Sequence, residues 1–372
     1  MITITPKTLS GRVTVPPSKS MAHRLLICAG LSDGVSTIKN IALSEDIQAT
    51  LSALKAYGRT ADIKDSFVRI GGKIKSPAES VIDCHESGST LRFFIPIVSA
   101  LGGGQMTGGE RLLARPLNVY RESFEKQGIM FETGNPLTVP EGLHSGRFEA
   151  RGDVSSQFIS GVMLAAPILD FDTQIVLTTP LESKAYVDMT IQAMALYGVE
   201  VVAMVPEKEY LIKAGQKYVA ADTVVEGDWS QSGFWVLAGL ASETGIDISG
   251  LDHNTRQGDR GIMDILEKMG VSAQSESGMR VKKIALKPAD IDISQVPDLA
   301  PVVAGLMAVS GKPCRMTGCG RLCIKESDRM ESIAACLNTL GSSAKIEGDT
   351  LLIEGNPRGG RVNTYNDHRI AM

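Results

Sequence analysis

Four short stretches of this chain crowd cations, hydroxyls and carboxylates into places where helices should begin. In "SKSMAHR", Lys19 and Ser20 fall in a first helical turn, and Arg24, four residues after Ser20, shares its face. "RGDVSSQF" offers Ser155, Ser156 and Gln157 as three neutral hydrogen-bonding side chains at another start, and "ESGSTLR" adds Gly88, where a ligand could approach the backbone. "GRLCIKESDR" holds Lys325, Glu326, Asp328 and Arg329, and Lys325 and Arg329 share a face if a helix begins there. Arg115 in "ERLLARPLNVY" precedes a proline at an expected helix entry, and Arg369 in "NDHRIAM" occupies the corresponding turn near the end. A helix N-terminus presents unpaired N–H groups and partial positive charge, so such turns bind anions. Any one of them has a simpler reading as an N-cap with solvated charges. Their recurrence in one register points instead to a shared anion site.

The residue types narrow the ligand. Arginine, lysine and serine at helix starts suit phosphate and carboxylate, which arginine grips in bidentate fashion. Glu326 and Asp298, the latter in "QVPDLAP", are carboxylates able to move protons there. The chain has no GxxxxGK[ST] phosphate loop, no GxSxG nucleophile elbow, no dinucleotide fingerprint and no metal-ligand set. Direct chemistry between two bound anionic metabolites remains, with no metal or organic cofactor.

The elements that must position these residues repeat. Five helix-like segments end in glycine, at Gly58, Gly128, Gly198, Gly270 and Gly341, with spacings of 70, 70, 72 and 71 residues. Glycine there reads as a left-handed helix stop. In register with them, polar turns open apolar helices at Ser18, Ser87, Ser155, Ser230 and Pro297, and a sixth opens at Asn366. Each repeat therefore reads as strand, buried helix, strand, amphipathic helix and hairpin, the hairpin being weakest after Gly270. Helices as apolar as "GVMLAAPIL" must be covered on most sides, and amphipathic ones such as "DRGIMDILEKMG" should cover sheets from outside. Six repeats in two sets of three predict an α/β chain of two similar domains, their polar helix starts facing one cleft. Crossings are expected near Val13–Lys19 and Thr223–Gln231. The sixth repeat stops within its first helix at Met372, so the reading expects a fragment of a longer enzyme that turns over poorly.

Composition excludes other classes. With 38 basic and 42 acidic residues the net charge is near −4, which disfavours nucleic acid or an anionic membrane as partner. No apolar run approaches the ~18 residues of a membrane span, and no leader-like N-terminus is visible. Cys28, Cys84, Cys314, Cys319, Cys323 and Cys336 read as free thiols of a reducing, cytoplasmic compartment, and the cluster Cys314, Cys319 and Cys323 lacks CxxC spacing and a nearby histidine.

Taken together, "PPSKSMAHRLLICAGL", "ESGSTLRF", "MTGGERLLARPL", "RGDVSSQF", "LESKAYVDMT", "VPDLAP", "IKESDRM" and "YNDHRIAM" resemble the EPSP synthase (3-phosphoshikimate 1-carboxyvinyltransferase) family, in family order along the whole chain. The resemblance implies two domains, each of three βαβαββ repeats around buried helices, with residues 1–14 joining 225–372 and residues 15–224 forming the second. It implies transfer of the enolpyruvyl group of phosphoenolpyruvate to the 5-hydroxyl of shikimate 3-phosphate, with release of phosphate, in the shikimate pathway to chorismate and aromatic amino acids. The implied enzyme is a cytoplasmic monomer without cofactor.

By motif, Lys19, Ser20 and Arg24 would hold shikimate phosphate and neighbouring groups, Ser155, Ser156, Gln157 and Ser183 would add hydrogen bonds, and Tyr186 would pack near the ring. Asp298 and Lys325 would bind ring hydroxyls. Lys19, Gly88, Arg115, Gln157, Arg329 and Arg369 would surround phosphoenolpyruvate. Asp298 would help deprotonate the attacking hydroxyl, Glu326 would protonate the methylene carbon, and domain closure would exclude water and align the reactants. Two departures stand out. Arg321 occupies a position where many relatives carry asparagine, and the family continues past the "DHR" turn to a further helix and a lysine that contacts phosphoenolpyruvate. The related UDP-N-acetylglucosamine 1-carboxyvinyltransferases carry a reactive cysteine in the loop that here reads "TGGERLLARPL". A non-catalytic anion-binding repeat protein would keep the polar turns and show no turnover.

Overall fold

A computed structural model of the chain describes all residues except 1, 6, 8, 77, 131–133, 145, 276 and 277. Its helices stop where glycine permits. Gly58, Gly128, Gly198, Gly270 and Gly341 all have φ between 77° and 88°, a region that costs other residues strain. In four of these stops the next N–H reaches back five residues, as Ile129 to the Phe124 carbonyl, Val199 to Met194, Val271 to Leu266 and Ser342 to Leu337. The first three pairs are also buried apolar neighbours, which closes each helix end and ties it to the core.

The chain divides into two compact units, Met1–Pro16 with Glu226–Met372, and Pro17–Val225. Among the described residues the strands form five small sheets on one plan, a parallel pair followed by one or two antiparallel strands. In the first unit, Gly11–Thr14 lies parallel to Ile246–Ser249, which pairs with Gly278–Val281 and then Gln274–Ser275. Asp290–Asp292, Cys314–Thr317, Thr350–Glu354 and Ser343–Glu347 repeat that order. In the second unit Thr223–Val224, at the end of the segment, lies parallel to Ser36–Lys39 at its start. Phe67–Gly72 and Arg59–Lys64 complete that sheet. Gly146–Ala150, Thr173–Leu177, Glu209–Ile212 and Val202–Val205 form the next. Ile82–Asp83, Gly104–Thr107 and Leu137–Val139 make a three-stranded version. Each chain crossing thus supplies a parallel strand to one sheet.

The apolar helices form the interior. In Lys19–Leu31 every residue from Met21 on is buried, including His23 and Arg24, and in Ser156–Ala165 only Gln157 is not fully buried. Gly88–Ala100 packs on Ser156–Ala165. The expectation that amphipathic helices cover sheets needs correction at Lys184–Leu196, which packs on the Lys19–Leu31 and Ser156–Ala165 helices and reaches both through Thr190, hydrogen-bonded to Arg24 and Ser160. In the first unit Trp229–Leu240 and Ala300–Val309 pack together. The first of these begins at Trp229 with Asp228 as cap, just ahead of the expected Ser230. Among the described residues no helix is long and apolar enough to cross a membrane. All six cysteines are free thiols, and among the described residues no cluster of His, Cys, Asp or Glu could hold a metal ion.

Candidate active site

In the second unit the polar turns are true caps. The hydroxyls of Ser18, Ser87 and Ser155 accept from the backbone N–H groups of Met21, Thr90 and Gln157. Capping by Ser18 leaves Ser20 inside the first turn. Gly88 opens its helix in a crowd of donors. A Cβ there would lie 3.0 Å from an Arg115 nitrogen, 3.3 Å from an Arg92 nitrogen and 3.8 Å from Gln157 Oε1. Gly88, Arg115 and Gln157 therefore lie side by side. Arg92, which sequence reasoning passed over, belongs with them. It donates to Gln157 Oε1 at 2.7 Å, while the Gln157 amide donates to Ser89 Oγ at 3.0 Å. The signal was present, since Arg92 follows Gly88 by the same four residues that separate Arg24 from Ser20.

Lys19 forms an ion pair with Asp46 at 2.5 Å, both side chains partly exposed. Arg24 is only 2% exposed and is committed to the protein. Its Nε donates to Thr190 at 2.7 Å, and its terminal nitrogens donate to the Ser20 carbonyl at 2.7 Å, the Tyr186 carbonyl at 2.9 Å and Ser160 Oγ at 3.5 Å. The Phe93 ring lies 5.0 Å from the guanidinium carbon. Four of its five N–H donors are engaged within the protein, which ties the starts of the Lys19 and Lys184 helices together. Burial lowers its pKa to about 10, with Tyr186 and Cys28 opposing, and it stays charged at neutral pH. Ser183, 3% exposed, precedes the Lys184 helix at φ 56°, and His85 at φ 48° precedes the Gly88 turn. The left-handed region costs a non-glycine residue backbone strain, so both turns are held in place by their surroundings.

The first unit gathers the remaining expected residues around Arg329, which is 1% exposed. Its guanidinium donates to Asp298 at 2.8 Å, to Glu326 at 2.5 Å and to Asp367 at 2.8 Å. Lys325 Nζ lies 3.5 Å from Asp298 Oδ1, and an Arg369 nitrogen lies 3.4 Å from Asp298 Oδ2. Asp298 stands in the one-turn helix Pro297–Leu299 that leads into Ala300–Val309. Lys325 is not on a helix with Arg329, contrary to the conditional expectation. Asp328 caps at Glu331 N, the helix starts at Arg329, and Lys325 is extended, which turns its ammonium back toward Asp298. Arg321 donates to the Ser294 carbonyl at 2.5 Å.

Two acids here carried no assignment from sequence. Asp367, fully buried, caps the last turn at Arg369 N and binds Arg329. Burial works to raise its pKa, but hydrogen bonding and charge from Arg329 outweigh it and leave the carboxyl below its ordinary value. Asp259, 5% exposed, accepts from Ser230. Burial, then the charge of Asp298, raises it to about 6, against the pull of Arg369. Burial likewise lowers the Lys325 ammonium, and Asp298 opposes. Asp367 was legible as a helix cap, whereas Asp259 had no local signal. Asp298 and Glu326, two carboxyl groups on one arginine, are the side chains of this cluster able to exchange protons with a ligand.

The chain is similar to known proteins along nearly its whole length. The family model described as EPSP synthase (3-phosphoshikimate 1-carboxyvinyltransferase) matches residues 4–372. The 3-phosphoshikimate 1-carboxyvinyltransferase of Clostridium kluyveri is 44% identical over all of this chain and 88% of its own length. That of Clostridium novyi is 43% identical, over 100% and 89%. The solved EPSP synthase from Acinetobacter baumannii superposes with a TM-score of 0.80 at 24% identity, covering 99% of this chain and 88% of that one.

Proposed function

Because this chain belongs to the EPSP synthase (3-phosphoshikimate 1-carboxyvinyltransferase) family, we propose that its two compact units each contribute one half-site to a single pair of anionic substrates. The reaction moves the enolpyruvyl group of phosphoenolpyruvate onto the 5-hydroxyl of shikimate 3-phosphate and releases phosphate. Lys19, Gly88, Arg115, Gln157, Arg329 and Arg369 take phosphoenolpyruvate, with Arg92 orienting Gln157. Lys19, Ser20, Ser155, Ser156, Gln157, Ser183 and Tyr186 take shikimate 3-phosphate, and Arg24 holds that wall in place. Asp298 and Lys325 meet the ring hydroxyls.

As the 5-oxygen bonds to the central carbon of phosphoenolpyruvate, its proton passes to Asp298 and Glu326 gives a proton to the methylene carbon. The methyl group so formed must lose one proton as the carbon–oxygen bond to phosphate breaks. Glu326, now the conjugate base, takes it back, and phosphate leaves with the proton held at Asp298. Binding both reactants in register converts a bimolecular step into an effectively unimolecular one. The setting is a monomeric enzyme of the cytoplasm, and its six free thiols suit that reducing compartment.

The observation that carries this reading is Asp298, held by Arg329 at 2.8 Å with Glu326 on the same guanidinium. The experiment is phosphate release from shikimate 3-phosphate plus phosphoenolpyruvate, with each omitted in turn and with UDP-N-acetylglucosamine as a rival acceptor. Release that requires both shikimate 3-phosphate and phosphoenolpyruvate supports it. Release with the nucleotide sugar alone as acceptor, or no release from any mixture, overturns it.

A further inference from the structure

Behind Lys19 and Gly88 lies a line of buried polar groups that no step of the reaction uses. His23, Thr50, Thr90 and Ser87 are each 0% exposed and come from three different helices and a cap. His23 Nδ1 is 2.8 Å from Thr50 Oγ1, which is 2.8 Å from Thr90 Oγ1. Thr90 Oγ1 is in turn 2.8 Å from Ser87 Oγ and 3.4 Å from the Asp46 carbonyl oxygen.

Proton counting gives this line a direction. A carbonyl oxygen can only accept, so across the 3.4 Å to Asp46, the longest contact of the line, Thr90 is the donor. Thr90 Oγ1 then accepts from Thr50 and from Ser87, filling its two acceptor positions. With the Thr50 proton spent on Thr90, Thr50 Oγ1 must accept from His23, so His23 carries its proton on Nδ1. The other ring nitrogen agrees, because His23 Nε2 is buried without a hydrogen-bond partner. A bare lone pair there costs less than a bare N–H, and a second proton would create one. Burial accordingly pushes the imidazole down to about 3, with Asp46 opposing and Lys19 and Arg24 adding to the shift, so the ring stays neutral wherever the enzyme works.

We propose that His23, as its Nδ1–H tautomer, is a positioning residue. It heads a one-way chain of hydrogen bonds through Thr50 and Thr90 that fixes the Asp46 backbone, and so the Lys19–Asp46 pair, together with the Ser87 cap that presents Gly88. The Asp46 carboxylate reaches Lys19 at 2.5 Å, and Ser87 Oγ accepts the Thr90 N–H at 3.2 Å, so the chain ends on both. Its functional consequence rests on the roles given above to Lys19 and Gly88. The tautomer does not.

The test has two arms. Nitrogen-15 NMR of the unliganded wild-type chain should show His23 protonated at Nδ1 and unchanged between about pH 5 and pH 9. An Nε2–H tautomer, or a titration in that range, overturns the proposal whatever the enzyme catalyses. In the second arm, His23→Leu and Thr50→Val should each lower kcat/KM for phosphoenolpyruvate by about 10- to 100-fold at temperatures well below melting, as expected when a binding group is displaced by about 1 Å. The double variant should be no worse than the worse single one, and His23→Asn, which restores an N–H near the Nδ1 position, should recover most of the loss. A fall in melting temperature with unchanged kcat/KM, or fully additive effects, overturns the positioning role. If Lys19→Ala leaves phosphoenolpyruvate kinetics unaltered, the reading of the site fails instead, and the NMR arm still decides the chain of hydrogen bonds.

Discussion

Replacing Arg329 by methionine should change both the stability of the first unit and its response to pH. The wild-type guanidinium is 1% exposed and meets Asp298, Glu326 and the fully buried Asp367 at 2.8, 2.5 and 2.8 Å. Methionine fills much of the volume and leaves those carboxylates without their shared cation. Removing one partner of a buried ion pair costs about 3–5 kcal/mol, because the remaining charge is stranded away from water. For a folding unit of this size each kcal/mol moves the midpoint by about 2–4 °C, so the first unit should melt roughly 6–20 °C lower at neutral pH.

The sign of the pH effect discriminates further. In the wild type Asp367 is held below its ordinary value, so its contribution is present at neutral pH and is lost as pH falls below the unfolded carboxyl value of about 3.9. Without Arg329 the Arg369 N–H still favours the charged form, but burial, the largest influence, and the charge of Glu326 favour the protonated acid. Acidification from about pH 7.5 to about pH 5 should therefore narrow the gap between variant and wild type. Scanning calorimetry at both pH values reads this directly, and phosphate-release kinetics should show KM for phosphoenolpyruvate raised by about 10- to 150-fold, the worth of a charge-assisted contact. A melting gap under about 2 °C, or one that widens on acidification, would refute the idea that Arg329 neutralises buried acid.

Three further outcomes follow from particular residues. Asp298→Ala and Glu326→Ala should each lower turnover by about 100-fold or more, with much smaller changes in substrate affinity by calorimetry, and near-normal turnover in either would remove its role as acid or base. Asp259 is raised to about 6, so its burial favours folding fully below the unfolded value of about 3.9 and works against it as pH rises through 6. Asp259→Asn should consequently stabilise the chain by about 2–3 kcal/mol near pH 8, and an equal or lower denaturant midpoint there would contradict the burial argument. Gly341→Ala places a methyl where no atom beyond its chain neighbours lies within 4 Å, at φ 88°, so it should cost only the backbone strain of about 1–2 kcal/mol and leave kcat untouched.

What the chain settles locally could be read from it directly. A helix stop is decided over a few residues, and all five glycines named from their spacing adopt the left-handed backbone that the stop requires. Caps are equally local, which is why Ser18, Ser87 and Ser155 stood out and why Arg24, Arg115, Asp298, Glu326 and Arg329 could be singled out beside them. The start of the Lys325 segment was less legible, because Asp328 competes for the cap and moves the helix downstream. Other features depend on partners far away in sequence. Gly11–Thr14 completes a sheet with Ile246–Ser249, Arg329 meets Asp367 across 38 residues, and Arg24 reaches Thr190 across 166. No periodicity encodes such pairings. A buried charge or hydroxyl takes whichever partner packing brings within about 3 Å, so its meaning exists only once the core has closed around it. That is why His23 reads in the sequence as one more basic residue near a helix start, and in the folded chain as a neutral donor at the head of a buried line of hydroxyls.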